Sequence, residues 1–222
     1  MATTSSDGSS TDVESSEPRF DPRNYLLRIR MEDEEDILEV GGAPEEFVRS
    51  YSGKLYHLSP GREEDFQPDE KQRIASVEFQ VIGLTAYLNG GFGTAFSCLD
   101  ELSQDLCEVG DALFDAEDDV EGERTREELD FALPVGDLLY IELIEVAPTL
   151  RSDQVFEIVR YLLENLLVRF AHGCFAAVYY HANWESIGLA RPLRDRGFSQ
   201  VPGNRNIWFA DLGKERPQIK GK

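Results

Sequence analysis

Residues 137–198 constrain the fold more than any other part of the chain. The stretch opens with DLLYIELIEV (137–146), almost continuous apolar sequence interrupted by Glu142 and Glu145. A run of that length and composition predicts a central strand covered on both faces. Pro148 ends it, and a polar turn leads into a long periodic segment. There Val155, Ile158, Val159, Leu162, Leu163, Leu166 and Phe170 recur at spacings of three and four, the buried stripe of a helix. Ser152 or Asp153 is placed to cap its start, and His172-Gly173 supplies its stop. CFAAVYY (174–180) predicts another buried strand. HANWESIGLARPLRDRG (181–197) predicts a shorter helix that ends before Pro192 or is kinked by it, and NIWFADL (206–212) a closing strand.

The earlier sequence is less sharply patterned. NYLLRIRM (24–31) predicts a first strand. EDEEDILEVGGAPEEFVRSY (32–51) combines an acidic run, a Gly-Gly break and a helix after Ala43-Pro44, and SPGREEDFQPDEKQ (59–72) is expected as loop. RIASVEFQVIGLTAYL (73–88) is rich in β-branched and aromatic residues. With NGGFG (89–93) as the reversal and TAFSCL (94–99) as the return, it predicts a β-hairpin. The same glycines offer a phosphate cradle only if a helix start or a P-loop lysine follows directly, and the sequence predicts neither. Leu99, Leu102, Leu106, Val109 and Leu113 form one apolar stripe, expected as a single helix laid on the sheet. Residues 115–130 are a charged connector.

Residues 1–18 are mostly Ser, Thr, Asp and Glu and cannot bury enough apolar surface to offset chain entropy, so they are expected as a disordered acidic tail. A single domain then occupies 19–214, and 215–222 is a flexible basic end. The net charge of −21 excludes the basic face that nucleic-acid binding requires. The acidic excess lies in the first two-thirds, because residues 151–222 hold eleven Lys and Arg against seven Asp and Glu. An anionic ligand is thus favoured by the C-terminal part and a cationic one by the rest, although an acid excess also serves solubility alone. No apolar run reaches the length of a membrane span, and the N-terminus has no secretory pattern. Cys98, Cys107 and Cys174 are too far apart for a metal knuckle or a redox pair. These features together predict a reduced, cytoplasmic protein that holds no metal.

Val146-Ala147-Pro148, Arg151, the long helix, VYYHAN (178–183) and RDRGF (194–198), in that order, resemble the acetyl-CoA half of the GNAT N-acetyltransferase superfamily. The resemblance is specific over 137–198 and looser over 74–136 and 199–212. It implies an α/β (α+β) acyl-CoA N-acyltransferase fold, a mixed central sheet with helices on both faces. It also implies acetyl-CoA as cosubstrate, an amine acceptor that the acidic N-terminal part would suit if cationic, and a possible homodimer. In that family the turn before the helix brings backbone N–H groups to the cofactor pyrophosphate, and its glycines allow close approach. Here Ser152, Gln154 and Phe156 stand where small residues are expected, and Asp153 adds a negative charge. The position of the family's catalytic tyrosine is Leu193.

The resemblance makes Val146, Arg151, Ser152, Gln154, Val155, Phe156 and Asn183 the candidates for holding the cofactor. Two readings of Phe156 stay open: the ring turns aside and leaves the pocket, or it fills it. Asn183 either bonds the pantetheine arm or caps a turn. Glu145 and Glu142 are the candidate proton acceptors, since a carboxylate in a buried strand has a raised pKa. Three positions apart, they are expected to face opposite sides of the strand. Glu145 lies nearer the strand end, where open sheets bind ligands. Tyr179 and Tyr180 are acid candidates or packing residues. His181 is the histidine best placed for chemistry, with loop exposure as its plainer role. If the cofactor turn is lost, the chain is instead an inactive protein of this fold that binds a protein partner.

Overall fold

The computed structural model describes residues 20–32, 41–58, 69–114, 125–129, 131, 136–181 and 188–214. The acidic tail, the basic end, most of the charged connector, Asn183 and Trp184 lie outside the described residues.

Strand β4 (Asp137–Val146) is the centre of a seven-stranded sheet. On one side lie β3 (Arg73–Ile82), β2 (Val48–His57) and β1 (Tyr25–Met31), each antiparallel to its neighbour. On the other lie β5 (Cys174–Tyr180), β7 (Asn204–Asp211) and β6 (Ser199–Val201). The β4/β5 pair is parallel, and the long helix α4 (Ser152–Phe170) is the crossover between them. β6 and β7 form a hairpin closed by Pro202-Gly203, with Gly203 at φ 81°. The sheet is thus mixed, with helices packed on both faces.

On one face, α4 and α5 (Ala190–Asp195) bury Ile158, Val159, Leu162, Leu163 and Leu166 against Val77, Phe79, Leu139, Ile141, Ala177 and Trp208. On the opposite face, α1 (Leu84–Asn89), α2 (Ala95–Leu102) and α3 (Gln104–Leu113) cover Ile82, Leu138, Tyr140, Val178 and Ile207. β4 feeds both layers, which explains its continuous apolar sequence.

Several expectations are corrected. The segment after Pro44 is only a 3-10 turn (Pro44–Phe47), and β2 begins at Val48. Serines and Gly53 dilute the alternation of that strand. A Cβ at Gly53 would lie 2.8 Å from Val77 Cγ1, so the small residue is a packing requirement. The hairpin expected over 73–99 is a strand followed by two helices. β3 ends at Ile82, and Leu84 and Tyr87 are buried one helical turn apart. Thr94 caps α2 reciprocally with Ser97: the Ser97 amide donates to Thr94 Oγ1 at 3.0 Å, and the Thr94 amide to Ser97 Oγ at 2.9 Å. That is a capping box with serine in place of the usual Glu or Gln. The leucine stripe of 99–113 is one face of two helices. Ser103 is extended (φ −164°) and its hydroxyl caps the Leu106 amide at 3.2 Å. Pro192 sits in the first turn of α5, where its missing N–H costs nothing, so the helix neither ends nor kinks there.

Candidate active site

The site is built by the way β4 changes partners. β4 and β5 pair from Asp137↔Cys174 to Ile141↔Tyr179 and no further. On its other side β4 stays paired with β3 to Val146, and the Ala147 amide still donates to the Ile74 carbonyl at 2.8 Å. β5 follows β7 instead, and the His181 amide reaches the Asn206 carbonyl at 3.1 Å. The two central strands therefore part beyond Ile141. Along β4 the parting leaves the β5-facing main chain of 142–146 without a strand partner among the described residues.

A β-bulge marks where this begins. Phe79 pairs with Ile141 and Glu78 with Leu143, so Glu142 is the extra residue. A bulge reverses the facing of every residue beyond it. Ile141 and Ile144 consequently share the α4 face, and Glu142 and Glu145 share the opposite one. The expectation that the two carboxylates face opposite sides is corrected by this bulge. Both are also exposed rather than buried. Ser76, itself 8% exposed, donates its hydroxyl to Glu145 Oε2 at 3.1 Å and fixes that carboxylate. The Glu142 carboxyl is held above its ordinary value, first by partial withdrawal from water and then by the negative charges of Glu78, Asp105 and Glu32.

A cavity of about 540 Å³ lies at the open end of β4. Leu143 to Pro148 form one wall, Arg73 to Ser76 of β3 another, and Glu70 and His181 the rim. Glu145 and Val146 line it; Glu142 does not, but it adjoins the lining residue Leu143 in sequence. Phe156 is not among the lining residues. Its ring lies under the Arg191 guanidinium of α5, 4.3 Å from carbon to ring centre. That cation–π contact draws the ring toward α5.

At the head of α4 the N-cap is Arg151, in extended conformation, which corrects the expected Ser152 or Asp153. Gln154 Oε1 accepts from the Arg151 amide at 3.0 Å, and the Arg151 guanidinium meets Asp153 at 3.3 Å. The Val155 amide donates to the Arg151 carbonyl at 2.9 Å, so it closes the first helical turn and drops out of the set of open donors. The amides of Ser152, Asp153 and Gln154 precede that bond, as in any first turn.

Tyr179 and Tyr180 take separate environments. Tyr180 is half-buried beside Glu108, and burial followed by that carboxylate pushes its phenol up to about 12. Tyr179 is fully buried, and its hydroxyl has no partner among the described residues. A buried hydroxyl without a partner loses its hydration with nothing in return. Tyr179→Phe is expected to raise stability by about 1 kcal/mol, read as a higher urea midpoint at unchanged slope. A lower midpoint would mean that the hydroxyl has a partner in solution. Burial raises the thiols of Cys98 and Cys174 to about 12, so neither is a nucleophile near neutrality.

Residues that sequence reasoning missed are Ser76, Arg73 and Glu70. Arg73 and Ser76 reach the site through the placement of β3 beside β4, and Glu70 through the 3-10 turn (Glu70–Gln72) that leads into β3; the sequence carries no local signal for either. Among the described residues, no helix is long and apolar enough to cross a membrane.

No protein-family model matches the chain, and no curated protein matches it in sequence. Among solved structures, AtaT complexed with acetyl-methionyl-tRNAfMet aligns over 84% of this chain and 95% of that one, with 11% sequence identity and a TM-score of 0.35. A superposition that loose fixes neither a fold family nor a ligand for this protein.

Proposed function

We propose that the chain is an N-acetyltransferase of GNAT-like fold that moves an acetyl group from acetyl-CoA to an amine. One observation supports the reading: β4 parts from β5 at a bulge, beside a cavity whose wall runs to Pro148, four residues before the crossover helix begins at Ser152. The main chain of 142–146, with no strand partner on its β5 side among the described residues, is suited to pair with an amide-bearing arm, Val146 included. The amides of Ser152, Asp153 and Gln154, with the Arg151 side chain, are suited to a diphosphate at the positive end of the helix. The Phe156 ring lies against Arg191 and is not part of the cavity wall. Asn183 stays a proposed contact, and it lies outside the described residues.

Acetyl-CoA would supply the activated acetyl group. Glu142, with its raised carboxyl, is the proton acceptor matched to an amine, and Glu145, steadied by Ser76, holds the ammonium before reaction. The ammonium would first give one proton to Glu142, which frees the nitrogen lone pair to bond the acetyl carbon; the carbon–sulfur bond then breaks with its electron pair on sulfur, and the second proton shed by nitrogen ends on that sulfur, leaving the amide and the free thiol. Proximity in the cavity supplies most of the acceleration.

Calorimetric titration of the full chain with acetyl-CoA is expected to show one site. Phe156→Gly is expected to change its affinity by less than threefold, because the ring does not occupy the cavity. A large gain in Phe156→Gly would mean that the ring plugs the site. No uptake by either form would favour the second reading, an inactive protein of this fold that binds a protein partner. That reading has its own support: glycine is missing at positions 152, 154 and 156, and the Asp153 carboxylate sits against Arg151.

A further inference from the structure

The sheet face that carries Glu142 and Glu145 continues across β3, β2 and β1 as polar surface. The strand registers align it in rows. Glu145 is opposite Ser76, Ser76 opposite Lys54, and Lys54 opposite Arg28. In the next row Leu143, beside the bulged Glu142, is opposite Glu78, then come Ser52 and Arg30. Each row thus runs from carboxylates on β3 and β4 to cations on β1 and β2. Adjacent strands lie about 4.8 Å apart, so Glu145 and Lys54, two strands apart, are separated by roughly 10 Å at the backbone.

A cavity of about 760 Å³ lies over the basic end. Arg28, Arg30, Lys54 and Arg73 line it, and it shares Glu70 and Arg73 with the cavity at the end of β4. The two spaces therefore meet along one rim. Three carboxylates, Glu32, Glu70 and Glu78, line it too, so the four cations leave a formal excess of one positive charge in a protein whose net charge is −21. Lys54 and Arg73 both lean on the single carboxylate of Glu70, at 2.8 and 3.6 Å. Such exposed ion pairs are weak, and an arriving anion can compete for the same cations.

We propose that the acceptor is a peptide-like zwitterion, its ammonium at Glu145 and Glu142 and its anionic group at Arg30, Lys54 and Arg28. The proposal rests on the transferase reading of the cavity and narrows its acceptor. It also revises the expectation from bulk charge, which favoured a simple cation. An extended chain advances about 3.4 Å per residue, so a tripeptide of roughly 10 Å matches the separation of Glu145 and Lys54.

The test is calorimetry on the full chain with three probes: triglycine, triglycine amide and N-acetyltriglycine, with acetyl-CoA titrated in parallel. Triglycine is expected to bind at least tenfold more tightly than either analogue, since each analogue lacks one of the two charges. In the double variant Arg30→Ala/Lys54→Ala, triglycine is expected to weaken at least tenfold, to the level of its amide. The amide and acetyl-CoA should stay within threefold. Equal affinity for triglycine and its amide, or no binding of any of the three, overturns the proposal, and acetyl-CoA uptake would then still support the transferase. A triglycine preference without acetyl-CoA uptake removes the transferase reading and keeps the selectivity of the groove.

Discussion

Glu142→Gln is expected to lower kcat/KM for acetyl transfer to an amine about 100-fold, the lower part of the range for losing a general base. The pH profile should change with it. The Glu142 carboxyl is raised by partial burial and by Glu78, Asp105 and Glu32, so the wild-type rate should climb with pH along a limb centred above the ordinary carboxyl value of 4.5. Below that midpoint the group is protonated and cannot accept a proton. In Glu142→Gln the limb should vanish. Stability carries the opposite sign. A carboxyl whose folded pKa lies above its unfolded one binds its proton more tightly in the folded state, so stability falls as pH rises through the window between the two. Glu142→Gln should remove that fall, which is small because the side chain is largely open to water. Glu145→Gln should act differently: Glu145 lines the cavity and accepts from Ser76, so its loss should raise KM more than it lowers kcat. If Glu142→Gln kept full activity and an unchanged limb, Glu142 would not be the base.

The parts of this site that the sequence announces are those written in local pattern. β4 is legible because it is buried on both faces, and α4 because seven apolar residues keep its period. What is not legible is register. Whether Glu142 and Glu145 share a face depends on a single extra residue opposite Glu78 and Phe79, and no residue in DLLYIELIEV betrays it. Ser76 belongs to the site only because it lands opposite Glu145, sixty-nine residues away. The polar groove is hidden for the same reason: Arg28, Lys54 and Ser76 come from three separate strands. Phe156 illustrates a different limit. Its position on the first turn of α4 follows from the sequence, but the direction of its ring is decided by Arg191, which belongs to another helix. The missed helices α1 and α2 show local chemistry overriding composition, since β-branched and aromatic residues over 73–88 favour a strand and Gly83 still ends it.

Leu163→Ala is expected to cost about 3 kcal/mol, within the 2–5 kcal/mol usual for emptying a buried leucine site. Leu163 is fully buried, flanked on the stripe by Val159 and Leu166, and packs with Ile141, Val77 and Trp208 in one cluster. α4 rests on the sheet through this stripe. For a chain of this size 1 kcal/mol corresponds to roughly 2–4 °C, so a fall in Tm of about 10 °C is expected. Val168 supplies the control on the same helix. It is 73% exposed, and Val168→Ala should change stability by less than about 0.5 kcal/mol. The contrast separates packing from helix propensity, because alanine favours a helix at both positions and would stabilise each if propensity decided. It also bears on the site. The head of α4 is held in place by the packing of its later turns, so partial loosening of the helix in Leu163→Ala should weaken acetyl-CoA uptake although the residue stands eleven positions from Ser152. Equal shifts in Tm for the two variants would show that α4 does not anchor on this stripe, and the placement of its N-terminus beside β4 would then need another cause.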